Sequence, residues 1–480
     1  MVNNTYFLPT TKKELELRGW DEVDVVLFSG DAYIDHPAFA AAVVGRTMED
    51  EGLRVAIVPQ PNWRDDLRDF RKLGRPRMFF AVSAGNMDSM VNHYTANKRL
   101  RSDDAYTPDG KAGMRPDYAT VTYCKILKTL FPDVPILIGG IEASLRRLTH
   151  YDYWADKLMP SILVDSQADM LIYGNGEKSL RELIFQLKRG KKFSEIQDIP
   201  QTSYISFFVE NKKTDITLAS HEECLRDKKL YASNFKNIEE ESNKIEAARL
   251  LQLAGKQWVV VNPPYPAWTA DELDRTFDLP YTRLPHPKYK GKHIPAYEMI
   301  KFSVNTHRGC FGGCAFCTIS AHQGKHIVSR SEKSILDEVK KIVAMPDFKG
   351  YISDLGGPSA NMYRVRGKNL KICAKCAKPS CIFPEICKNL DANHSPLVAL
   401  YRAVDKIAGI KKSFIGSGIR YDMFFDKDGT IAPDRAEYIR ELVARHVSGR
   451  LKVAPEHTSD RVLCLMRKPS FSIFYKFRNI

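Results

Sequence analysis

The stretch THRGCFGGCAFCTIS, residues 306–320, contains three cysteines at close spacing, Cys310, Cys314 and Cys317. It follows residues 299–306, which we predict to be a buried strand. Three thiols this close in sequence converge on one small volume. The glycines among them let the backbone wind around a bulky group and point N–H groups at it. The stretch therefore predicts a metal-binding loop at the end of a strand.

The number and spacing of these cysteines favour a [4Fe–4S] cluster. Three thiolates leave one iron open for a substrate, whereas clusters that only transfer electrons are normally held by four cysteines. Phe316 can then cover the ligand side of the cluster. The alternatives are a zinc loop and a set of buried free thiols. Zinc sites usually pair two Cys-x2-Cys knuckles or include histidines, and the x3-then-x2 spacing is different.

A second group of cysteines lies in a Cys-rich insertion, residues 366–392, at positions Cys373, Cys376, Cys381 and Cys387. Four thiolates at spacings x2, x4 and x5 can bind one auxiliary iron–sulfur cluster or a structural zinc ion, and the spacing does not separate the two. We expect Lys371, Lys375 and Lys378 to offset the thiolate charge. Cys124, Cys224 and Cys464 are isolated, and we predict ordinary buried thiols there.

The pattern of apolar segments predicts an α/β protein in three parts. Residues 1–200 alternate strands (23–29, 54–58, 78–82, 134–138, 170–173) with helices, as in a doubly wound domain. Residues 201–295 are polar and then proline-rich, which indicates an insertion and connector without a core of its own. From residue 296 a second alternation begins, with strands at 299–306, 351–355, 412–415 and 451–454. Helices are predicted at 331–344, with Ser331 as N-cap, and at 433–446.

Composition bounds the environment and partners of the chain. Its 480 residues contain no run of about 18 apolar residues and no secretory signal, so we expect a cytoplasmic protein without a membrane span. The net charge of +14 would suit nucleic acid, but the basic residues are diffuse. A solvated basic surface is therefore favoured over an RNA-binding face.

Cys310-x3-Cys314-x-Phe316-Cys317 is the signature of the radical S-adenosylmethionine (SAM) superfamily. The chain resembles its YgiQ-type branch, a family of undetermined function, from about residue 5 to its end. The matching stretches are NPPYPAWTADELDRTFDLPYTRLPHP (262–287), IPAYEMIKFSVNTHRGCFGGCAFCTISAHQGKHIVSRSEKSIL (294–336), DLGGPSANMY (354–363) and LKVAPEHTSD (451–460).

The resemblance implies a cofactor set and roles for further residues. It implies reductive cleavage of SAM by the [4Fe–4S] cluster to a 5′-deoxyadenosyl radical that acts on an unknown substrate. The electron would come from a flavodoxin- or ferredoxin-like reductant. By resemblance, Gly356, Gly357 and Pro358 bind the amino group of SAM, Ser417 and Arg420 its ribose and carboxylate, and Glu456 lies near the adenosine or the substrate.

The resemblance also implies two domains. The first is similar to the cobalamin-binding-like domain that precedes many radical SAM barrels. The cobalt-ligating pattern Asp-x-His-x-x-Gly is absent, however, since the nearest match is Asp35-His36-Pro37, and cobalamin is not favoured. The second is a (β/α)6 barrel. We count about four of its six strand–helix units before Ile480, and therefore expect a partial barrel, truncated at the C-terminus, that binds SAM poorly.

Two other functions stay open at this point. One is an iron–sulfur electron-transfer or metal-binding module that does not cleave SAM. The other is an RNA-modifying radical SAM enzyme, suggested by the basic charge. The RNA-methylthiolating family carries three further cysteines in its N-terminal domain, whereas only Cys124 and Cys224 precede the barrel here, which argues against it.

Overall fold

The computed structural model describes residues 6–266, 268–426 and 429–480, and the chain divides into two compact units. The first unit comprises the residues up to Ile238, with Ala248–Tyr265 and Leu279–Lys301. The second comprises Glu239–Ala247, Pro266–Asp278 and Phe302–Ile480. Each unit therefore uses segments that are not contiguous in the sequence.

The strands of the first unit are β1 (Val25–Ser29), β2 (Val55–Pro59), β3 (Phe79–Ser83), β4 (Ile136–Gly139), β5 (His150–Asp152), β6 (Lys157–Met159), β7 (Met170–Ile172), β8 (Thr202–Ser206), β9 (Ile216–Leu218), β10 (Leu250–Ala254) and β11 (Gln257–Val261). The strands of the second are β12 (Ser303–Asn305), β13 (His307–Arg308), β14 (Val328–Ser329), β15 (Tyr351–Ile352), β16 (Asp354–Gly356), β17 (Arg366–Gly367), β18 (Leu390–Asp391) and β19 (Lys412–Ser413).

The α-helices, in chain order, are α1 (Lys12–Glu16), α2 (Ala40–Asp50), α3 (Arg68–Arg71), α4 (Ser89–His93), α5 (Ala119–Leu130), α6 (Gly140–Leu145), α7 (Ile162–Ser166), α8 (Glu177–Lys188), α9 (His221–Arg226), α10 (Lys228–Ser242), α11 (Ala270–Phe277), α12 (Pro295–Ile300), α13 (Thr318–Gln323), α14 (Glu332–Val343), α15 (Leu370–Ala374), α16 (Ser395–Asp405), α17 (Pro433–Glu441), α18 (Asp460–Leu465) and α19 (Phe471–Arg478).

The first unit is built on a nine-stranded mixed sheet of order β2-β1-β3-β4-β7-β8-β11-β10-β9. Strands β2, β1, β3, β4 and β7 are parallel. All five residues of β1 are buried because both faces of the strand are covered. Val26 and Phe28 face one core, and Val25 and Leu27 face the other. The predicted α/β fold is confirmed, and each of these five predicted strands lies within two residues of an observed one.

Residues 201–295 contain more regular structure than their polar composition suggested. Strands β8 to β11 extend the same sheet beyond β7, through antiparallel pairs β7–β8, β8–β11 and β10–β11. Val259, Val260 and Val261 are buried, as are four of the five residues of β10. These short apolar runs lie between a long polar stretch and a proline-rich one, so the composition of residues 201–295 as a whole hid them.

The second unit contains short parallel strand pairs in chain order. Strand β12 pairs with β16, β15 pairs with β19, and Ile419 forms a parallel bridge with Val453. Helices α14, α16 and α17 supply buried residues to a shared core with these segments. This order matches the predicted strand–helix alternation for the first three strands, whereas the predicted strand 451–454 forms only the single bridge at Val453. Closure into a barrel stays a prediction. One predicted boundary is wrong: Pro295–Ile300 is a helix, because Pro295 starts it, so the strand begins only at Ser303.

Helix α14 begins where the sequence predicts, because the Ser331 hydroxyl accepts a hydrogen bond from the backbone N–H of Ser334 at 3.2 Å. We expect Ser331→Ala to lower the free energy of unfolding by about 1 kcal/mol, the usual cost of losing an N-cap. Chemical denaturation followed by circular dichroism measures it. Ser331→Asp should retain the stability, and equal loss in both variants would refute the capping role.

Candidate metal centre

The cysteine loop, residues 309–317, is closed at its base by a short hairpin. His307–Arg308 pairs antiparallel with Val328–Ser329, and the Cys310 N–H donates to the Gly324 carbonyl at 3.1 Å. At its far end Cys317 is the N-cap of α13, and its N–H donates to the Cys314 carbonyl at 3.1 Å. These bonds hold the three predicted thiols on one compact turn directly after β12 and β13.

Two glycines make this turn possible. Gly309 has φ +89° and Gly313 has φ +60°, both in the left-handed region. A Cβ at Gly309 would lie 2.5 Å from the His326 carbonyl oxygen, and one at Gly313 would lie 2.3 Å from that of Pro379. Neither position has room for a side chain. The loop is therefore clamped between two backbone segments.

Burial and nearby charges act on the thiols in opposite directions. Burial raises the pKa of Cys310, and the Gly312 N–H and the Arg420 guanidinium partly counteract it. Burial likewise raises the pKa of Cys317, where Lys468 acts against the increase. A bound metal deprotonates a coordinating thiol, so these cations also stabilise the metal-bound state. The loop thus has the donor set and the positive surroundings that an anionic iron–sulfur cluster needs.

Arg420 contacts the loop directly. Its guanidinium lies 3.4 Å from the Cys314 sulfur and forms a salt bridge with Asp422 at 2.6 Å. A Cβ at Gly312 would lie 2.5 Å from the same guanidinium. The structure therefore brings this predicted SAM-binding residue against the cysteine loop.

Predicted SAM-binding residues also meet at the carboxyl end of β16. A Cβ at Gly356 would lie 2.8 Å from the Ser417 hydroxyl oxygen. Asp354 holds the neighbouring segment, because its carboxylate accepts hydrogen bonds from the N–H groups of Gly416 and Ser417 and from the Ser417 hydroxyl. Sequence reasoning missed Asp354; its place just before the glycines at a strand end was the available signal.

His307 packs on the next glycine. A Cβ at Gly357 would lie 2.5 Å from the imidazole, and burial lowers the pKa of His307 to about 4, so the ring is neutral at pH 7. This contact was not predicted, because it joins positions 50 residues apart in the sequence.

Glu456 and Phe316 are less enclosed. Glu456 has φ +71°, lies 3.7 Å from the Lys468 ammonium and acts electrostatically on Cys317. The Phe316 side chain is exposed. That Phe316 covers the ligand side of a cluster stays a prediction, and so does the position of Pro358 beside SAM.

The cysteines outside the loop fall into two kinds. In the Cys-rich insertion, backbone hydrogen bonds pair Cys376 with Cys373 and Cys387 with Cys381. Burial raises the pKa of Cys381 to about 11, and Lys325 acts against this increase. Cys124 and Cys224 are buried as predicted, but the prediction is wrong for Cys464, which is exposed on α18. Among the residues that the structure describes, no three His, Cys, Asp or Glu side chains already form a ligand set for one ion.

In the first unit, the residues at the sheet's switch point, between β1 and β3, are engaged with one another. The fully buried Arg115 forms ion pairs at 2.9 Å with Asp31 and with Asp104 and donates to the Ala84 carbonyl. A Cβ at Gly85 would lie 2.2 Å from the Asp31 carboxylate. Doubly wound sheets bind ligands at this crevice, and here buried side chains fill it.

His36, the histidine whose sequence context comes closest to the cobalt-ligating pattern, is also buried. Burial holds its pKa well below the usual range, and its Nδ1 accepts a hydrogen bond from the Ala38 N–H. The neighbouring Asp35 pairs with Arg46. That cobalamin is not favoured here stays a prediction from the sequence. Across the described ranges, no helix has the length and apolarity that crossing a bilayer requires.

Comparisons with known proteins agree with these features. The family model described as "Radical SAM N-terminal" matches residues 7–303. The chain is 65% identical over 491 residues to a UPF0313 protein of Bacteroides thetaiotaomicron, covering 99% of this chain and 79% of that protein. It is 44% identical over 530 residues to the UPF0313 protein YgiQ of Escherichia coli, covering 99% and 70%.

The chain also matches a solved structure, that of the radical SAM methyltransferase TsrM from Kitasatospora setae. That structure has cobalamin and a [4Fe–4S] cluster bound. The TM-score is 0.48 and the identity 14%, over 95% of this chain and 66% of that one, which is less than two thirds of its length.

Proposed function

The chain belongs to the UPF0313 (YgiQ) family of the radical SAM superfamily, and from this premise we propose that it is an enzyme that reductively cleaves SAM at a [4Fe–4S] cluster on Cys310, Cys314 and Cys317. The observation that carries the proposal is the cysteine loop itself. Three thiols share one turn, and glycines clamp that turn where no side chain fits. When bound, the cluster supplies the electron that splits SAM into methionine and a 5′-deoxyadenosyl radical.

The residues around the loop would bind and orient the cofactors. We assign the backbone at Gly356, Gly357 and Pro358 to the amino group of SAM, with His307 packed on Gly357. Asp354 holds the neighbouring segment at Gly416 and Ser417. Ser417 and Glu456 would contact the ribose and adenosine side. Arg420, which the resemblance places with Ser417 at the ribose and carboxylate of SAM, would also hydrogen-bond the cluster ligand Cys314. Such a second-sphere donor orients a metal ligand and tunes the metal's electronic properties.

The electron would come from a flavodoxin- or ferredoxin-like reductant, and the substrate is open. The proposal is tested without knowing that substrate, because the first reaction product is shared by the class. Anaerobically reconstituted, dithionite-reduced protein should convert SAM into 5′-deoxyadenosine and methionine in equal amounts, measured by liquid chromatography. Unreduced protein is the control. A cluster-replete sample that makes no 5′-deoxyadenosine on reduction would instead favour a metal-binding or electron-transfer module.

A further inference from the structure

We propose that Cys373, Cys376, Cys381 and Cys387 bind a second, thiolate-ligated metal centre, and that this centre braces the loop that carries Cys310, Cys314 and Cys317. The proposal concerns the stability and metal content of the second unit, and it holds or fails independently of SAM cleavage. It rests on the proximity of the four thiols, on a buried cation beside them and on backbone contacts between the two loops.

Backbone hydrogen bonds bring the thiols together in two pairs. The Cys376 N–H donates to the Cys373 carbonyl at 3.1 Å, which forms a tight Cys-x2-Cys turn. The Cys387 N–H donates to the Cys381 carbonyl at 2.8 Å. The two pairs are linked by Asn389, two residues after Cys387, whose side-chain amide donates to the Cys373 sulfur at 3.3 Å. Four thiols are the ligand set of structural zinc sites and of iron–sulfur clusters.

A buried cation compensates for thiolate charge at this site. Lys325 is only 2% exposed, and its ammonium lies 3.5 Å from the Cys376 sulfur. It also donates to the carbonyls of Cys376 and Lys378, at 2.9 and 2.7 Å. A buried ammonium is costly unless an anion lies nearby. The sequence predicted that Lys371, Lys375 and Lys378 would offset the thiolate charge. The ammonium seen at a sulfur is instead that of Lys325, which lies 51 residues from Cys376 in the sequence.

The Cys-rich insertion has little other structure to hold it. It contains the two-residue strands β17 and β18, which pair at its base, and the five-residue helix α15. Asn389 donates to the Cys373 sulfur at 3.3 Å, and a Cβ at Gly367 would lie 2.5 Å from that sulfur. In many small domains, a segment with so few regular hydrogen bonds gains its folding energy from a bound metal. The thiols close on the ion as it binds and release their protons.

The insertion contacts the cysteine loop through its backbone. The Cys381 N–H donates to the Phe311 carbonyl at 3.0 Å, and Pro379 occupies the space beside Gly313. Phe311 is buried in one apolar cluster with Ile382, Leu390 and Met362. Ordering Cys381 on a metal therefore orders the Phe311 carbonyl, one residue from Cys310.

The direct test uses a chain in which Cys310, Cys314 and Cys317 are all alanine, so that only the second group remains. Titration with Co²⁺ should give intense sulfur-to-cobalt charge-transfer absorbance with a stoichiometry of one, and adding Cys376→Ser should remove most of it. Adding Cys464→Ser, at an exposed cysteine outside both groups, should change nothing. Absence of these bands from the triple-alanine chain, or bands insensitive to Cys376→Ser, would overturn the proposal.

Metal analysis identifies the native metal. Anaerobically purified triple-alanine protein should retain one zinc per chain if the centre is a zinc site, or iron with acid-labile sulfide if it is a cluster. Protein that takes up neither Zn²⁺ nor iron with sulfide would contradict the proposal. Because this chain lacks the first cluster, a failure of SAM cleavage in the wild type does not affect the result.

The bracing role has its own readout. In otherwise wild-type protein, Cys376→Ser should increase hydrogen exchange at residues 309–317 at least about tenfold, while exchange in β1 and β3 stays unchanged. Lys325→Met, which keeps all four thiols, should produce a smaller increase. If Cys376→Ser does not yield folded protein, removal of the metal with a chelator from the chain in which Cys310, Cys314 and Cys317 are alanine gives the comparison without the first cluster. Unchanged exchange in the cysteine loop would refute the bracing role.

Discussion

Replacing Cys314 by alanine should abolish the iron–sulfur cluster of the cysteine loop and, with it, 5′-deoxyadenosine formation. The loop offers three thiols on one turn, and the two that remain cannot hold the cluster alone. The turn cannot rearrange to supply another ligand, because the backbone at positions 309 and 313 is fixed against neighbouring backbone. The Arg420 guanidinium, 3.4 Å from the Cys314 sulfur, would also lose its acceptor. We expect activity to fall by more than about 100-fold, the upper end of the loss that a second-sphere change alone produces.

The matched control is Cys464→Ala, because Cys464 is exposed on α18 and belongs to neither cysteine group. Visible absorbance and electron paramagnetic resonance of the reconstituted proteins measure the cluster, and chromatography measures the product. A Cys314→Ala protein with wild-type cluster content and product yield would show that the cluster is held elsewhere.

Replacing Arg115 by methionine should be the most destabilising change in the first unit. Arg115 is fully buried and pairs with Asp31 and Asp104, which are also buried. Methionine has a similar length but leaves two buried carboxylates without their cation. Breaking a buried ion pair by removing one partner typically costs about 3–5 kcal/mol. We therefore expect the first unit to unfold at much lower urea concentration, or to be purified in low yield.

Arg68→Met is the matched control, because the Arg68–Asp66 pair is exposed and should contribute nothing measurable. Urea denaturation of both variants, followed by far-ultraviolet circular dichroism, makes the comparison. The triple change of Arg115 to methionine, Asp31 to asparagine and Asp104 to asparagine should recover part of the loss. A single variant that unfolds like the wild type would show that the pairs contribute no net stability.

Local sequence patterns predicted the elements that depend on local chemistry. The buried strand β1 was readable because an apolar run such as Val25–Ser29 is typical of a strand covered on both faces. The N-cap at Ser331 and the turn of the cysteine loop were readable for the same reason. In each case the residues that fix the structure are neighbours in the sequence.

The parts that the sequence did not predict depend on contacts between distant residues. Lys325 reaches the Cys376 sulfur across 51 positions, and the His307 ring covers Gly357 across 50. A lysine or histidine in a polar stretch is usually exposed, so nothing in its neighbourhood marks it as buried. Strands β8 to β11 were missed because the polar and proline-rich composition of residues 201–295 as a whole hid their short apolar runs. The turn that carries the three cysteines was thus predictable from the sequence and its surroundings were not; the role of these cysteines as ligands stays a prediction.

The backbone contact between Pro379 and Gly313 has a consequence for how the protein is made. A chain emerging from the ribosome completes the first unit's segments at Lys301, and that unit can begin to fold before any cysteine of the loop has appeared. The loop emerges next, yet the segment that clamps it follows more than 60 residues later. During that interval its thiols are neither clamped nor shielded. Under the proposed function, insertion of iron and sulfide is therefore expected only once the segment with Pro379 has been made and the clamp has closed.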